Sequence, residues 1–269
     1  MSNIFDLTAA RFSALTALGL AQFSELAYRE PDEIRTVLDE GGMRMTWIED
    51  KASDTQLFVA SDDDVTVVCF RGTQEKRDWL TDLDSSRVEY EKPEGVNTKW
   101  MVHRGFWIAY ALIAEKLLEA IREHGAHKPL LITGHSLGGA LAAVAALDLA
   151  ARSFASRLYT FGQPRVGDAY FVRALSNAAL GYHRFVNNND IVPRLPPAGM
   201  KSFRHAGRLN YFDHQGNLHL DPLAWVQFVD RVIGRIKDFG KPGTDGIKDH
   251  SMGGYVKLVD GYVRSLGEG

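Results

Sequence analysis

The stretch that decides the fold is Pro129–Gly139, which reads Pro-Leu-Leu-Ile-Thr-Gly-His-Ser-Leu-Gly-Gly. Its first half is a short apolar run typical of a buried strand, and the alanine-rich segment Leu137–Ala151 predicts a helix directly after it. Between them stands Gly-x-Ser-x-Gly, a pattern that places a serine on a sharp turn with its hydroxyl exposed. The two glycines lack side chains, so strand and helix can approach closely. Ser136 is therefore the candidate nucleophile.

Strand-like and helix-like segments alternate along the chain around this turn. Strands are predicted at Met43–Ile48, Gln56–Ala60, Val65–Phe70, Pro129–Thr133, Arg157–Phe161 and Tyr182–Val186, with a hairpin over Asn210–Leu220. Helices are predicted at Leu7–Tyr28, Gly105–His124, Leu137–Ala151, Asp168–Ala179, Pro222–Phe239 and Tyr255–Leu266. The alternation predicts an α/β fold with a mostly parallel central sheet covered by helices on both faces. Because no repeat or linker interrupts it, we expect residues 1–269 to form a single domain.

The composition excludes several other classes of protein. With 45% hydrophobic and 24% charged residues, the chain has the composition of an ordinary soluble globular protein. Its one cysteine, Cys69, rules out an intrachain disulfide. The net charge of −3 gives no electrostatic footprint for nucleic acid. The longest apolar run, Leu137–Leu147, is too short for a transmembrane segment, which needs about 20 residues.

The first residues, Met1–Asp6, lack the basic stretch and the apolar run of a secretory signal. We therefore expect a cytoplasmic location, although the mature form of a secreted protein would lack such a signal as well.

A serine hydroxyl is a poor nucleophile until a histidine takes its proton, and that histidine needs a carboxylate to hold its tautomer. After a turn of this kind, the acid comes next along the chain and the histidine last. Asp190 fits the acid, because it follows the strand Tyr182–Val186 through three asparagines and precedes the rigid segment Ile191–Pro193. Competing carboxylates lie in predicted helices, at a helix start or beside the hairpin: Asp148, Asp168, Asp213, Asp221 and Asp230.

His250 fits the base, because it lies directly before the last predicted helix. The competing histidines are His183, His205, His214 and His219. Two of them stand on the hairpin as a possible metal pair without a clear third ligand, so we expect no metal and no other cofactor. His135 adjoins the nucleophile, but we expect its side chain to point elsewhere and to be structural.

Six segments in order carry a family resemblance: Phe70–Thr73, Val102–Phe106, Gly134–Ala140, Thr160–Asp168, Asn189–Pro193 and Asp249–His250. On these motifs the chain resembles the fungal-type, or class 3, triacylglycerol lipases of the α/β-hydrolase superfamily. The resemblance implies the α/β-hydrolase fold and a catalytic triad of Ser136, Asp190 and His250. It also implies an oxyanion hole formed by Thr73 and by the backbone N–H of Leu137. The absence of disulfides departs from the secreted fungal members.

The resemblance further implies a mobile lid over Gln74–Ser85, with Trp79, Leu80 and Leu83 on its apolar side. The alternative is a short fixed helix packed on the core. The expected function is a serine carboxylester hydrolase, a triacylglycerol lipase that acts on ester or lipid substrates at a lipid–water interface. Two alternatives stay open: an esterase for soluble short-chain or aryl (feruloyl-type) esters, and a non-catalytic lipid-binding relative.

Overall fold

The computed structural model describes residues 12–73, 87–89, 100–196, 203–222 and 249–267. Its helices are Ala14–Leu26 (α1), Pro31–Glu40 (α2), Arg104–Ala111 (α3), Ala114–Gly125 (α4), Leu137–Ala151 (α5), Ala169–Ala178 (α6) and Met252–Ser265 (α7). Its strands are Arg44–Asp50 (β1), Thr55–Ser61 (β2), Thr66–Phe70 (β3), Arg87–Glu89 (β4), Met101–His103 (β5), Leu130–His135 (β6), Ser156–Phe161 (β7), Gly181–Asn187 (β8), Arg208–Phe212 (β9) and Leu218–Leu220 (β10).

The strands in these residues form an eight-stranded sheet in the order β1-β2-β3-β6-β7-β8-β9-β10, and β4 and β5 pair separately. From β3 through β9 the neighbouring strands of the sheet are parallel, whereas β1, β2 and β10 join antiparallel at its two edges. The mostly parallel sheet is therefore confirmed. Because parallel strands end at the same edge, the segments that follow β3, β6 and β8 converge there.

Alternate side chains of β3 enter two separate apolar layers. Val68 and Phe70 pack with buried residues of α3, α4, α5 and α6 on one face of the sheet. Val67 and Cys69 pack with buried residues of α1, α2 and α7 on the other. This confirms helices on both faces of the sheet. Because both faces of β3 are buried, the strand is apolar at consecutive positions and does not alternate with polar residues. None of the helices in the described residues combines the length and the apolar character that a membrane crossing requires.

The structure differs from the predicted elements in two places. Helix α2 was not predicted, because only Ile34 and Leu38 of its ten residues are buried, which leaves a weak periodic signal. Its start carries recognisable signals all the same, a proline in the first turn and two acidic residues. The predicted helix Gly105–His124 is broken into α3 and α4 at Ile113, whose φ of −116° and ψ of −5° leave the helical range.

The break has no proline or glycine to announce it. Ile113 is fully buried, so packing against the core decides where the chain turns. The predicted helix Pro222–Phe239 lies outside the described residues after Pro222, as do the first residues of the predicted helix Leu7–Tyr28.

Candidate active site

The turn at Ser136 joins β6 to α5 at the carboxyl edge of the sheet. Ser136 has φ 59° and ψ −126°, a backbone conformation that residues other than glycine rarely adopt and that costs about 1–3 kcal/mol. A β-carbon added to Gly134 would lie 2.4 Å from the carbonyl of Gly138, and one added to Gly138 would lie 2.3 Å from the carbonyl oxygen of Phe70. The motif's two glycines therefore permit the close approach that the sequence predicts.

The structure brings Ser136, His250 and Asp190 together in one hydrogen-bonded chain. His250 Nε2 lies 2.7 Å from Ser136 Oγ, and His250 Nδ1 lies 2.9 Å from Asp190 Oδ2. Each of the three residues is at most 2% exposed. Because the carboxylate only accepts, Nδ1 carries the proton and Nε2 of the neutral ring accepts from the serine hydroxyl. This is the arrangement in which a histidine can remove the serine proton.

Asp190 is held by the turn that follows β8. Its backbone N–H donates to the carbonyl of Asn187 at 2.8 Å. Its Oδ1 accepts from the backbone N–H of Val192 at 2.9 Å, while Oδ2 accepts from His250. A buried charge requires such donors on its oxygens. The turn therefore places the carboxylate and supplies the donor for Oδ1, while His250 supplies a donor for Oδ2.

Tyr255 supplies a further donor that the sequence reasoning missed. Its hydroxyl donates to Asp190 Oδ2 at 2.6 Å and accepts from the backbone N–H of Asn187 at 3.0 Å. Burial, and then the negative charge of Asp190, raise the pKa of this phenol well above its usual value, so the hydroxyl stays protonated. The sequence carries no signal for this contact beyond the position of Tyr255 in the first turns of a predicted helix.

The backbone around His250 is tied to the same turn. Asn187 Nδ2 donates to the carbonyl of Asp249 at 2.9 Å, and the backbone N–H of Asn189 donates to the Asp249 carboxylate at 3.2 Å. Ser251 caps α7 by accepting from the backbone N–H of Gly254. His250 is thus fixed between a cap on one side and the turn after β8 on the other.

The side chain of His135 lies against His250, with 4.5 Å between the ring centroids. Its Nε2 is 2.8 Å from the backbone carbonyl oxygen of His250, and its Nδ1 is 2.7 Å from the hydroxyl of Tyr28. The sequence predicts a structural side chain that points away from the site. The structure instead packs it against the ring of His250. The sequence contains no local signal that would have paired it with Tyr28 or His250.

Thr73 and Leu137 border one cavity of about 240 Å³, together with Gln56, Arg71 and Leu141. Thr73 follows β3 and Leu137 begins α5, so the candidate oxyanion residues share one wall beside the serine turn. The predicted lid over Gln74–Ser85, with Trp79, Leu80 and Leu83, lies outside the described residues.

A larger cavity of about 710 Å³ lies at the opposite end of α5, where Leu147, Trp100 and Tyr170 line it. Leu147 follows Leu137 by three helical turns, about 15 Å along the axis. This cavity is therefore separate from the serine turn.

Several of the competing residues have other partners, and Asp230 lies outside the described residues. The Asp168 side chain caps α6 by accepting from two backbone N–H groups, and Asp148 accepts from Tyr110. His205 lies 2.6 Å from the carbonyl oxygen of Pro193, and His219 pairs with a carboxylate on the hairpin. Within the described ranges, no group of three or more histidine, cysteine or acidic side chains is placed to hold a metal ion.

Comparison with known proteins finds lipases by family model and by sequence similarity. The family model for class 3 lipases matches residues 67–200. A lipase of Rhizomucor miehei is 40% identical over 165 residues, which is 57% of this chain and 44% of that protein. A secreted mono- and diacylglycerol lipase of Fusarium solani is 33% identical over 183 residues, 66% of this chain and 53% of the relative. The chain thus spans about half the length of the curated relatives it matches.

The name of the Fusarium solani relative overturns the cytoplasmic expectation. That protein is named as secreted, which points to an extracellular location, and the expectation from Met1–Asp6 is wrong. A secretory signal is a pattern of about 15–30 residues, so the six residues Met1–Asp6 alone could not decide the compartment.

The fold comparison agrees with the sequence comparison. A solved triacylglycerol lipase, described as having a serine protease triad as its catalytic centre, is 28% identical, with a TM-score of 0.64. The match covers 87% of this chain and 91% of that one. With the ordered motifs, the sheet topology and these relatives in agreement, the chain belongs to the class 3 lipases of the α/β-hydrolase superfamily.

Proposed function

We propose that this protein is a serine carboxylester hydrolase, a triacylglycerol lipase that works through an acyl-enzyme. The observation that carries the proposal is the buried chain from Ser136 through His250 to Asp190, with contacts of 2.7 and 2.9 Å. A nucleophile within reach of a base that is itself oriented by an acid is the signature of covalent acyl transfer.

In the proposed acylation step, Ser136 Oγ attacks the carbonyl carbon of the ester while His250 Nε2 takes the hydroxyl proton. The imidazolium that forms donates both N–H groups, and Asp190 stabilises its charge. The carbonyl oxygen becomes an oxyanion, which accepts hydrogen bonds from the backbone N–H of Leu137 and from the backbone N–H and hydroxyl of Thr73. A donor of this kind contributes about 3–4 kcal/mol to the transition state.

The tetrahedral intermediate then collapses. The bond between the carbonyl carbon and the alcohol oxygen breaks, and His250 gives its proton to the departing alcohol. Water next attacks the acyl-enzyme with His250 as base, the bond to Ser136 Oγ breaks, and the serine recovers its proton. Asp190 stays bonded to His250 in both acylation and deacylation. The three donors to its carboxylate therefore hold it in the single orientation that both steps need.

The names of the relatives support lipid esters as the substrate class, because lipases and a mono- and diacylglycerol lipase are among them. Action at a lipid–water interface is the finer part of the proposal. A soluble-ester esterase and a non-catalytic lipid-binding protein are the other two outcomes of the test.

The test is titration of the fatty acid released from tributyrin below and above its solubility limit, with the full chain and with Ser136→Ala. A rate that jumps when the emulsion forms supports an interfacial lipase. Smooth saturation below the limit would indicate an esterase. Lipid binding without turnover, unchanged by Ser136→Ala, would refute catalysis. Circular dichroism of the variant checks that the fold is retained.

A further inference from the structure

His135 connects two segments of the site that are far apart in the chain. Its backbone adjoins Ser136, and its side chain lies 2.8 Å from the carbonyl oxygen of His250. The same residue therefore sets the position of the candidate nucleophile through its backbone and contacts the candidate base through its ring. Any movement of the His250 main chain away from the turn must break this hydrogen bond.

The two ring nitrogens of His135 have different roles, which the neighbours dictate. A carbonyl oxygen can only accept, so Nε2 must carry a proton. In the neutral ring, Nδ1 is then bare, and it accepts from the Tyr28 hydroxyl at 2.7 Å. The opposite tautomer would place a bare Nε2 against the carbonyl oxygen. The His250 carbonyl oxygen thus selects this tautomer, and the Tyr28 hydroxyl completes it by donating to Nδ1.

Tyr28 follows the end of α1 by two residues and packs, partly buried, against the layer that also contains α7. Burial raises the pKa of its phenol, so the hydroxyl remains a donor. A β-carbon added to Gly72 would lie 2.3 Å from the Tyr28 hydroxyl oxygen and 2.6 Å from the carbonyl oxygen of His135. The Tyr28 hydroxyl therefore lies against Gly72, the residue that precedes Thr73.

We propose that Tyr28 and His135 form a positioning clamp, which holds the main chain of His250 so that its Nε2 faces Ser136. The hydrogen bonds of the clamp run from Tyr28 to His135 and from His135 to the main chain of His250, so both residues act by positioning the base. The proposal rests on the function proposed above, because it assigns the clamp to the base of that reaction. It also gives a reason for a histidine beside the nucleophile and for the absence of a side chain at position 72.

Loss of the Tyr28 hydroxyl removes the hydrogen bond at His135 Nδ1, so the ring is held less firmly and its bond to the His250 carbonyl weakens. The packing of the two histidine rings, with 4.5 Å between their centroids, remains, but packing alone permits more than one position of the His250 ring. Misplacement lowers the rate of proton transfer while leaving the substrate pocket intact. We therefore expect the effect in kcat and not in KM.

The experiment compares Tyr28→Phe, His135→Leu and His135→Gln in the full chain, using a soluble p-nitrophenyl ester. Tyr262→Phe is the matched control, because its ring packs on Phe12 in the same layer. Tyr28→Phe and His135→Leu should lower kcat about tenfold, the effect of one lost hydrogen bond, with KM unchanged. His135→Gln keeps an N–H donor and should retain most of the activity. Tyr262→Phe should match the wild type.

A second readout is the low-field proton resonance of the His250 Nδ1–H bonded to Asp190, recorded for each folded variant. The clamp predicts that Tyr28→Phe shifts or broadens this resonance, while Tyr262→Phe leaves it in place. Equal kcat for Tyr28→Phe and Tyr262→Phe, or equal losses for His135→Gln and His135→Leu, would overturn the proposal. A wild type that cleaves no ester would refute the proposed function instead, and the resonance would still decide whether the clamp holds His250.

Discussion

Replacing Gly162 by alanine tests the geometry beneath the hydrogen bond between His250 and Asp190. Gly162 follows β7 with φ +58°, a conformation that favours glycine. A β-carbon there would lie 2.8 Å from Asp190 Oδ2 and 2.9 Å from His250 Nδ1. Ordinary contacts of a β-carbon begin near 3.4 Å. The methyl group therefore requires both partners of the hydrogen bond to move by about half an ångström.

The expected magnitude follows from that displacement. A misplacement of about 1 Å costs about 100-fold in rate, so half of it, applied to acid and base together, should lower kcat about 10- to 100-fold. The left-handed backbone costs alanine about 1 kcal/mol, and overpacking adds about 1–3 kcal/mol. The variant should therefore lose about 2–4 kcal/mol of unfolding free energy.

The assay is kcat on a soluble p-nitrophenyl ester, together with urea unfolding of the same preparation. Gly42→Ala is the matched control, because Gly42 has φ +75° and a β-carbon there would meet nothing within 4 Å. This control should lose only the backbone contribution of about 1 kcal/mol and keep full activity. If Gly162→Ala turned over at the wild-type rate with only the loss seen in Gly42→Ala, the proposed placement of acid and base would be refuted.

Asp190→Asn should lower kcat by about 10⁴-fold, because an amide can donate to the base and favour the wrong tautomer. Asp168→Asn is the same chemical change at a helix cap, where asparagine serves as well, so wild-type activity is expected there; equal losses would reassign the acid. Burial lowers the pKa of both His124 and His183 to about 4, so between pH 6.5 and 4 the unfolded chain binds more protons. Stability should therefore be fullest above about pH 6.5 and fall at lower pH, at up to about 1.4 kcal/mol per pH unit for each histidine. Urea midpoints at several pH values check this, and His183→Phe should reduce the slope; an unchanged slope would contradict the argument.

Local sequence patterns were sufficient for the serine turn and for the mostly parallel character of the sheet. The apolar run, the glycines and the alanine-rich helix of Pro129–Ala151 act on neighbouring residues, because steric limits and helical periodicity operate over a few positions. The candidate roles of Asp190 and His250 likewise followed from their positions, the first after a predicted strand and the second before a predicted helix. Each of these inferences depended on segments of about ten residues.

Other features required the tertiary structure. The break at Ile113 depends on burial in a core formed by several helices. Tyr28 meets His135 across 107 residues, and His135 meets His250 across 115. Tyr255 reaches Asp190 across 65. In each case the local sequence allows a tyrosine or histidine many partners.

The sequence by itself thus determined which residue types could perform the chemistry and which elements carry them. Only the tertiary structure decided which hydroxyl donates to which ring or carboxylate. The physical reason is that backbone preferences are set by adjacent residues, whereas a buried polar side chain must find its partner among groups that the packed sheet and helices bring within about 3 Å.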